Sequence, residues 1–252
     1  MPVILPDTGA RQLADYAIVA ETTGFRLAWT QAGKAVLKVT IFGGPAVYAP
    51  FLKRPYTTLK NPNAIIRATT LVQKIEEWAY AYEKRHTHVS PGGTVIPTVN
   101  IGAIRGGVPF VTCTTPEVCS LYIDCRLAPN QDALALKGEL EEINRSLGLE
   151  GEVEILHFRR GYEAEKIDRL AQAIGQAHKR VFHEGVKPVI GPECSMWRDD
   201  NVFKEAGIPA VNYGPGIYAS SGIYAIALDD LHNAAQVYAL TALDLCNQDK
   251  TD

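Results

Sequence analysis

Cysteine, long apolar runs and any surplus of charge are what this chain has least of, and each shortage closes a class of function. Its 252 residues hold five cysteines, an odd number spread along the chain with no C-x2-C pair. That argues against a secreted disulfide framework and against a zinc site built from cysteine pairs. No apolar run approaches the roughly 20 residues needed to cross a bilayer. The opening MPVILPDTGARQ has no basic segment followed by an apolar core. The cytoplasm is the expected location. Lys plus Arg number 25 against 28 Asp plus Glu, a balance that supplies neither a nucleic-acid surface nor a polybasic membrane anchor. Internal repeats and low-complexity tracts are absent as well. What remains is 46% hydrophobic and 21% charged, enough for one large core or two modest ones, with small molecules or proteins as partners.

Periodicity organises the middle of the chain. Ala35 to Phe42 alternates, with Leu37, Val39 and Ile41 on one side and Lys38 and Thr40 on the other, the pattern of a half-buried strand. From Asn63 to about Arg85, Ile65, Ala68, Val72, Ile75, Ala79 and Tyr82 recur at steps of three and four, which predicts an amphipathic helix. A strand is expected at about Thr94 to Ile104. The next, Glu117 to Leu127, places Cys119, Leu121, Ile123, Cys125 and Leu127 on a core face and Ser120, Tyr122, Asp124 and Arg126 on the other. A second helix, about Gln131 to Leu147, and a strand from about Gly151 to Phe158 complete the order β-α-β-β-α-β. That is the ferredoxin-like unit, whose helices cover one sheet face and leave the other, with Asp124 and Arg126, open. Helices from Lys166 to about His183 and from Leu231 to about Cys246 lie outside it. The expected fold is therefore α/β: a ferredoxin-like module over residues 35–159, set into a partial mixed-sheet layer made from 1–34 and 160–252.

The strongest motif is VIGPECSMWRDDNVFKEAGIPAVNYGPG, Val189 to Gly216. Val189 and Ile190 read as a buried strand, DDNVFKEAG as a short helix with acids in its first turn and Gly207 at its end, and GIPAVNY as a second strand. Gly214, Pro215 and Gly216 close it with a turn whose backbone can come close to a ligand. Earlier, ADYAIVAETTG sets Glu21 in a turn after an apolar strand, where an α/β site collects ligands. With NPNAI, IGAIRGG and DCRLAP, these segments resemble the C-terminal portion of the acetylornithine deacetylase, succinyl-diaminopimelate desuccinylase and carboxypeptidase family of metallopeptidases.

The resemblance implies a lid domain that interrupts a mixed-sheet catalytic domain and pairs with the lid of a second copy, hence a homodimer. It implies a hydrolase using zinc or another divalent metal, a deacylase of an acylated amino acid or small peptide. In that chemistry two bridged ions polarise an amide carbonyl and a glutamate acts as general base. On matching positions, Glu21 is the implied metal ligand, while Arg126, Asp199, Gly214 and Gly216 are implied on the substrate side. The chain also departs from the pattern. The family's His-x-Asp, bridging Asp and Glu-Glu pair would lie upstream of Met1. Ser220 stands where a metal-binding His belongs, with Tyr224 at its acidic neighbour. Val47 or Tyr48 replaces a lid His, and Cys113 a lid Asn. No catalytic residue is therefore assigned within this chain, and a separate chain supplying the missing half is one expectation. The alternative is a non-catalytic dimerisation or small-acid-binding module derived from the family.

Other polar residues read more plainly. His86 and His88 form an H-x-H expected in a solvated loop, and His232 lies in the last helix, out of reach of the Ser220 position without a different turn. His178 and His183, five apart on a helix, point to different faces. Glu76, Glu77, Glu141 and Glu142 occupy polar helix positions. Arg126 has the alternative of an ion pair with Asp124, and Trp197 and Arg198 either line a pocket or pack between layers. PFLKRPYTTLKNP is expected to be an ordered loop.

Overall fold

A computed structural model describes residues 14–189, 194–216 and 226–247. In chain order the strands and helices are β1 (Ala17–Val19), β2 (Thr30–Gln31), β3 (Gly33–Phe42), α1 (Ala64–His86), β4 (His88–Ser90), β5 (Gly93–Val95), β6 (Val99–Gly106) and β7 (Val118–Leu127). There follow α2 (Ala133–Ser146), β8 (Gly151–Arg159), β9 (Tyr162–Glu163), α3 (Asp168–Phe182), α4 (Asp200–Glu205), β10 (Ala210–Asn212) and α5 (Leu228–Asn247).

The alternating strands form one antiparallel sheet in the order β6-β7-β3-β8, with α1 connecting β3 to β6 and α2 connecting β7 to β8. This is the ferredoxin-like unit. Ala35, Leu37, Val39 and Ile41 of β3 and Cys119, Leu121, Ile123, Cys125 and Leu127 of β7 share the inner face, in the register Leu37↔Ile123. Ala68, Leu71, Ile75 and Tyr82 of α1 and Leu136, Leu140 and Ile143 of α2 close over them. Each helix starts at a side chain that satisfies otherwise orphaned backbone N–H groups. Asn63 accepts from Ile65 and Ile66, and Asp132 from Leu134.

Two expectations need correction. The strand expected over Thr94 to Ile104 is two strands: β5 pairs with β4, whereas β6 begins at Val99 and pairs with β7. Pro97, between them, has no N–H to give a ladder. Likewise His86 and His88 do not share a loop, since His86 ends α1 and His88 opens β4. The PFLKRPYTTLKNP segment is ordered by two short 3-10 turns, Ala49–Phe51 and Thr58–Lys60.

The second layer is a mixed one. β1 and β10 run parallel, Ala28 bridges antiparallel to Asn212, and Leu27 bridges parallel to Pro188. Leu27, Leu170, Ile174, Ala177, Val211, Tyr213 and Val237 form its core, with α3 and α5 packed together upon it. Between the layers, Ala28, Ala32, Val95, Val189 and Cys194 make a small buried cluster, and β2 pairs with β9. No helix among the described residues is long and apolar enough to cross a membrane.

Candidate functional site

Parallel strands place their following loops side by side, and here β1 and β10 bring Ala20 to Phe25 against Tyr213 to Gly216. Ligands of open α/β sheets collect at such carboxyl ends. Thr23 holds the loops together: its hydroxyl is 3.2 Å from the carbonyl oxygen of Gly214 and 3.0 Å from the Gly214 N–H. Phe25 N–H adds a bond of 2.9 Å to the same carbonyl, and Gly24 N–H one of 2.6 Å to Gly216. A Cβ on Gly214 would sit 2.4 Å from the carbonyl oxygen of Glu21, so the close approach this glycine permits is to the chain's own backbone. Gly216 has φ of 74°, the left-handed region that favours glycine.

Beside these loops lies a buried polar cluster. Arg198, only 3% exposed, donates from Nη2 to the carbonyl of Thr22 at 3.2 Å and brings Nε to 3.9 Å from the carboxylate of Glu21. Asp200, at the first position of α4, is wholly buried and accepts from the side-chain amide of Asn212 and from the backbone of Asn201. Burial pushes its carboxyl up to about 7, although the positive charge of Arg198 and the bond from Asn212 pull the other way. Asn201 donates to the carbonyls of Ala32 at 3.3 Å and Arg160 at 2.8 Å, the segments entering β3 and leaving β8. Through it α4 is tied to the root of the four-stranded sheet.

The residues singled out from the sequence are thus only partly brought together. Glu21, Gly214 and Gly216 share the paired loops. Asp199 immediately precedes α4, but its side chain is exposed and makes no cap bond; the buried acid is its neighbour Asp200. Arg126 lies on the open face of the larger sheet, its Nε 2.9 Å from Asp124, whose other oxygen is 3.2 Å from Lys34. Arg126 sits opposite Lys34 in the register, two residues along from the Ala32 carbonyl that Asn201 holds. Cys113 and Tyr48 are exposed, on segments that pair with each other. His232 is exposed on α5, and Ser220 and Tyr224 fall outside the described residues. His86 stacks on Tyr82 and accepts from Arg85, while His88 bonds Glu163 at 2.8 Å, so the two histidines do not converge.

Asp200, Asn201 and Asn212 belong to no site expected from the sequence. The Asp199–Asp200 doublet was the available signal, because two adjacent acids at a helix start cannot both face inward. For a divalent metal, the described residues do not fit. No group of three His, Cys, Asp or Glu side chains lies together among them, and at Glu21 the neighbouring charge is a guanidinium. A zinc site needs three or four such donors.

Residues 58–152 match the family of the peptidase dimerisation domain. The fold is shared with solved structures over most of this chain. The aminopeptidase PepT from Bacillus cereus superposes with a TM-score of 0.64 at 18% identity, over 93% of this chain and 58% of that one. An amidase of the hydantoinase/carbamoylase family from Burkholderia multivorans gives 0.58 at 16%, over 88% and 50%. An M20 family metallo-carboxypeptidase from Sulfolobus solfataricus gives 0.58 at 18%, over 92% and 63%. This chain therefore spans about half to three-fifths of the length of the structures it matches.

Proposed function

We propose that the chain forms the lid and one active-site wall of a cytoplasmic amidohydrolase or peptidase acting on an acylated amino acid or small peptide, and that two copies join through the lid. In this reading residues 35–159 are the lid, and 1–34 with 160–252 belong to the catalytic layer. The observation that carries it is the joint made by Asn201, which fixes the strand-end cluster to the end of the larger sheet where Arg126 stands. Arg126 is the residue to receive a substrate carboxylate, since a planar guanidinium matches it bidentately. Its present partner Asp124 keeps Lys34 when Arg126 is engaged. The paired loops with Gly214 and Gly216 form the facing wall, with Asp199 at its exposed rim. Glu21 serves as a metal ligand only where further ligands join it from beyond the described residues.

The lid supplies a natural edge for a second copy. β6 is the terminal strand of its sheet, and Ile104, Val108, Phe110 and Val111 are exposed along and beyond it, Phe110 by 97%. Unpaired backbone flanked by apolar side chains is a template for another strand.

A second reading, a non-catalytic dimerising module that holds a small acid, is favoured by Arg198 standing beside Glu21. One set of measurements on the purified chain separates them: mass in solution, metal content with and without added zinc, and binding and hydrolysis of N-acetyl amino acids. A dimer with stoichiometric metal that hydrolyses them supports the first reading and sinks the second. A metal-free dimer that binds them without hydrolysis, and loses binding on Arg126→Ala, supports the second. A monomer that binds none of them overturns both.

A further inference from the structure

Behind the loop that carries Glu21 is a cavity of about 340 Å³ lined by Phe25, Arg26, His178, Phe182, Glu184 and Lys187 among others. Small-molecule sites span roughly 300–1,000 Å³, which leaves room here for one small ligand. Three of its lining residues carry aromatic rings. The rings of Phe25 and Phe182 have centroids 4.6 Å apart, and that of His178 lies 4.6 Å from Phe182. His178 is fixed in turn by a 2.7 Å bond between its Nδ1 and the hydroxyl of Tyr213. Phe25 has φ of 58°, a left-handed conformation that is an outlier for an aromatic residue and persists only where its surroundings impose it. The bond from its N–H to Gly214 does so.

The rim is charged and exposed. Arg26 reaches the carbonyl of Pro188 only at 3.4 Å, and Lys187 stands 3.5 Å from Glu184 with both side chains more than half in water. Two cations and one carboxylate thus stand beside three mutually tilted rings. That combination is complementary to a zwitterion bearing a flat apolar group.

We propose that this cavity binds a free α-amino acid with an aromatic side chain, its carboxylate held by Arg26 and Lys187, its ammonium by Glu184 and its ring by Phe25 and Phe182. The site is separate from the strand-end cluster, but it shares the Glu21 to Phe25 loop with it. The proposal does not depend on the hydrolase reading.

Calorimetric titration with L-phenylalanine, glycine, 3-phenylpropionate and phenethylamine tests it. Saturable binding of L-phenylalanine is expected, with each of the other three at least about tenfold weaker, the ratio that one charge-assisted bond or a buried ring carries. The double variant Arg26→Ala/Lys187→Ala loses at least about tenfold in affinity for L-phenylalanine. Glu184→Gln weakens L-phenylalanine and leaves 3-phenylpropionate unchanged. Phe25→Gly removes the ring at a φ that glycine accepts, and weakens every aromatic ligand. Glu21→Gln leaves the affinity for L-phenylalanine unchanged, which separates this site from the strand-end cluster. The proposal is overturned by absence of saturable binding at millimolar L-phenylalanine, by equal binding of glycine, or by affinity that responds to Glu21→Gln and not to the rim substitutions.

Discussion

On the covered face of the four-stranded sheet the side chains that meet β3 and β7 are apolar, whereas where β1 and β10 end, Arg198, Asp200, Asn201 and Asn212 are buried together. The first region is held by surface removed from water, a force with no preferred direction and little dependence on pH. The second is held by hydrogen bonds that must each find a partner, and some do not. The hydroxyl of Thr22 and the side-chain oxygen of Asn212 are buried without one. Such groups oppose folding. The four-stranded module is therefore expected to hold its stability across pH, and the strand ends to depend on it.

The sharpest break of this contrast is through Asp200. Its carboxyl, ordinarily near 3.8, stands at about 7 in the folded chain, so between those values the folded state holds a proton that the unfolded state has released. The contribution is fully present below pH 3.8 and is lost as pH rises toward 7, at roughly 1.4 kcal/mol per pH unit at most. Asp200→Asn removes that dependence. Turned about its amide, Asn212 presents its unpartnered oxygen to the new side chain. Urea unfolding at a series of pH values should show the variant gaining on the native chain as pH rises. Parallel curves would mean that Asp200 is ionised throughout.

The four-stranded module should give the opposite behaviour. Leu121 is wholly buried between β7's neighbours and the helices, and Leu121→Ala is expected to cost about 3 kcal/mol by cavity formation, equally at pH 5 and pH 8. A smaller effect is expected at Thr23, whose hydroxyl serves both the N–H and the carbonyl of Gly214. Thr23→Val should cost about 2 kcal/mol through the N–H left unpaired, and Thr23→Ser should restore most of it. Failure of serine to rescue would assign the loss to packing of the methyl group.

How much of this is legible in the sequence follows the same division. A sheet covered on one face writes its burial as alternation, so Leu37, Val39, Ile41 and the odd residues of β7 announced themselves, as did the inward positions of α1 and α2. The break at Pro97 was also written in the chain, although the apolar residues on either side masked it. The strand-end cluster was not legible in this way. Arg198 reaches Thr22 across 176 positions and Asn201 reaches Ala32 across 169, and a hydrogen bond between remote segments leaves no period in either. The GPG turn was recognisable, but what its first glycine packs against, the backbone of Glu21, required the fold.

The mildest prediction concerns the start of α1, where the stability of the four-stranded module depends on one polar side chain and not on the core. Asn63 has an extended backbone, and its Oδ1 accepts from Ile65 at 2.9 Å and Ile66 at 3.4 Å, two N–H groups that have no partner within the helix. Asn63→Ala should therefore cost about 1 kcal/mol, and Asn63→Asp should cost little, since a carboxylate accepts the same bonds and favours the positive end of the helix dipole. The first turn carries no acidic residue of its own, so aspartate there meets no like charge within the helix start. Thermal unfolding of the three chains decides it. If alanine and aspartate fall together, the cap's carbonyl oxygen is not what holds the helix start, and the packing of Ala64 beneath the sheet is.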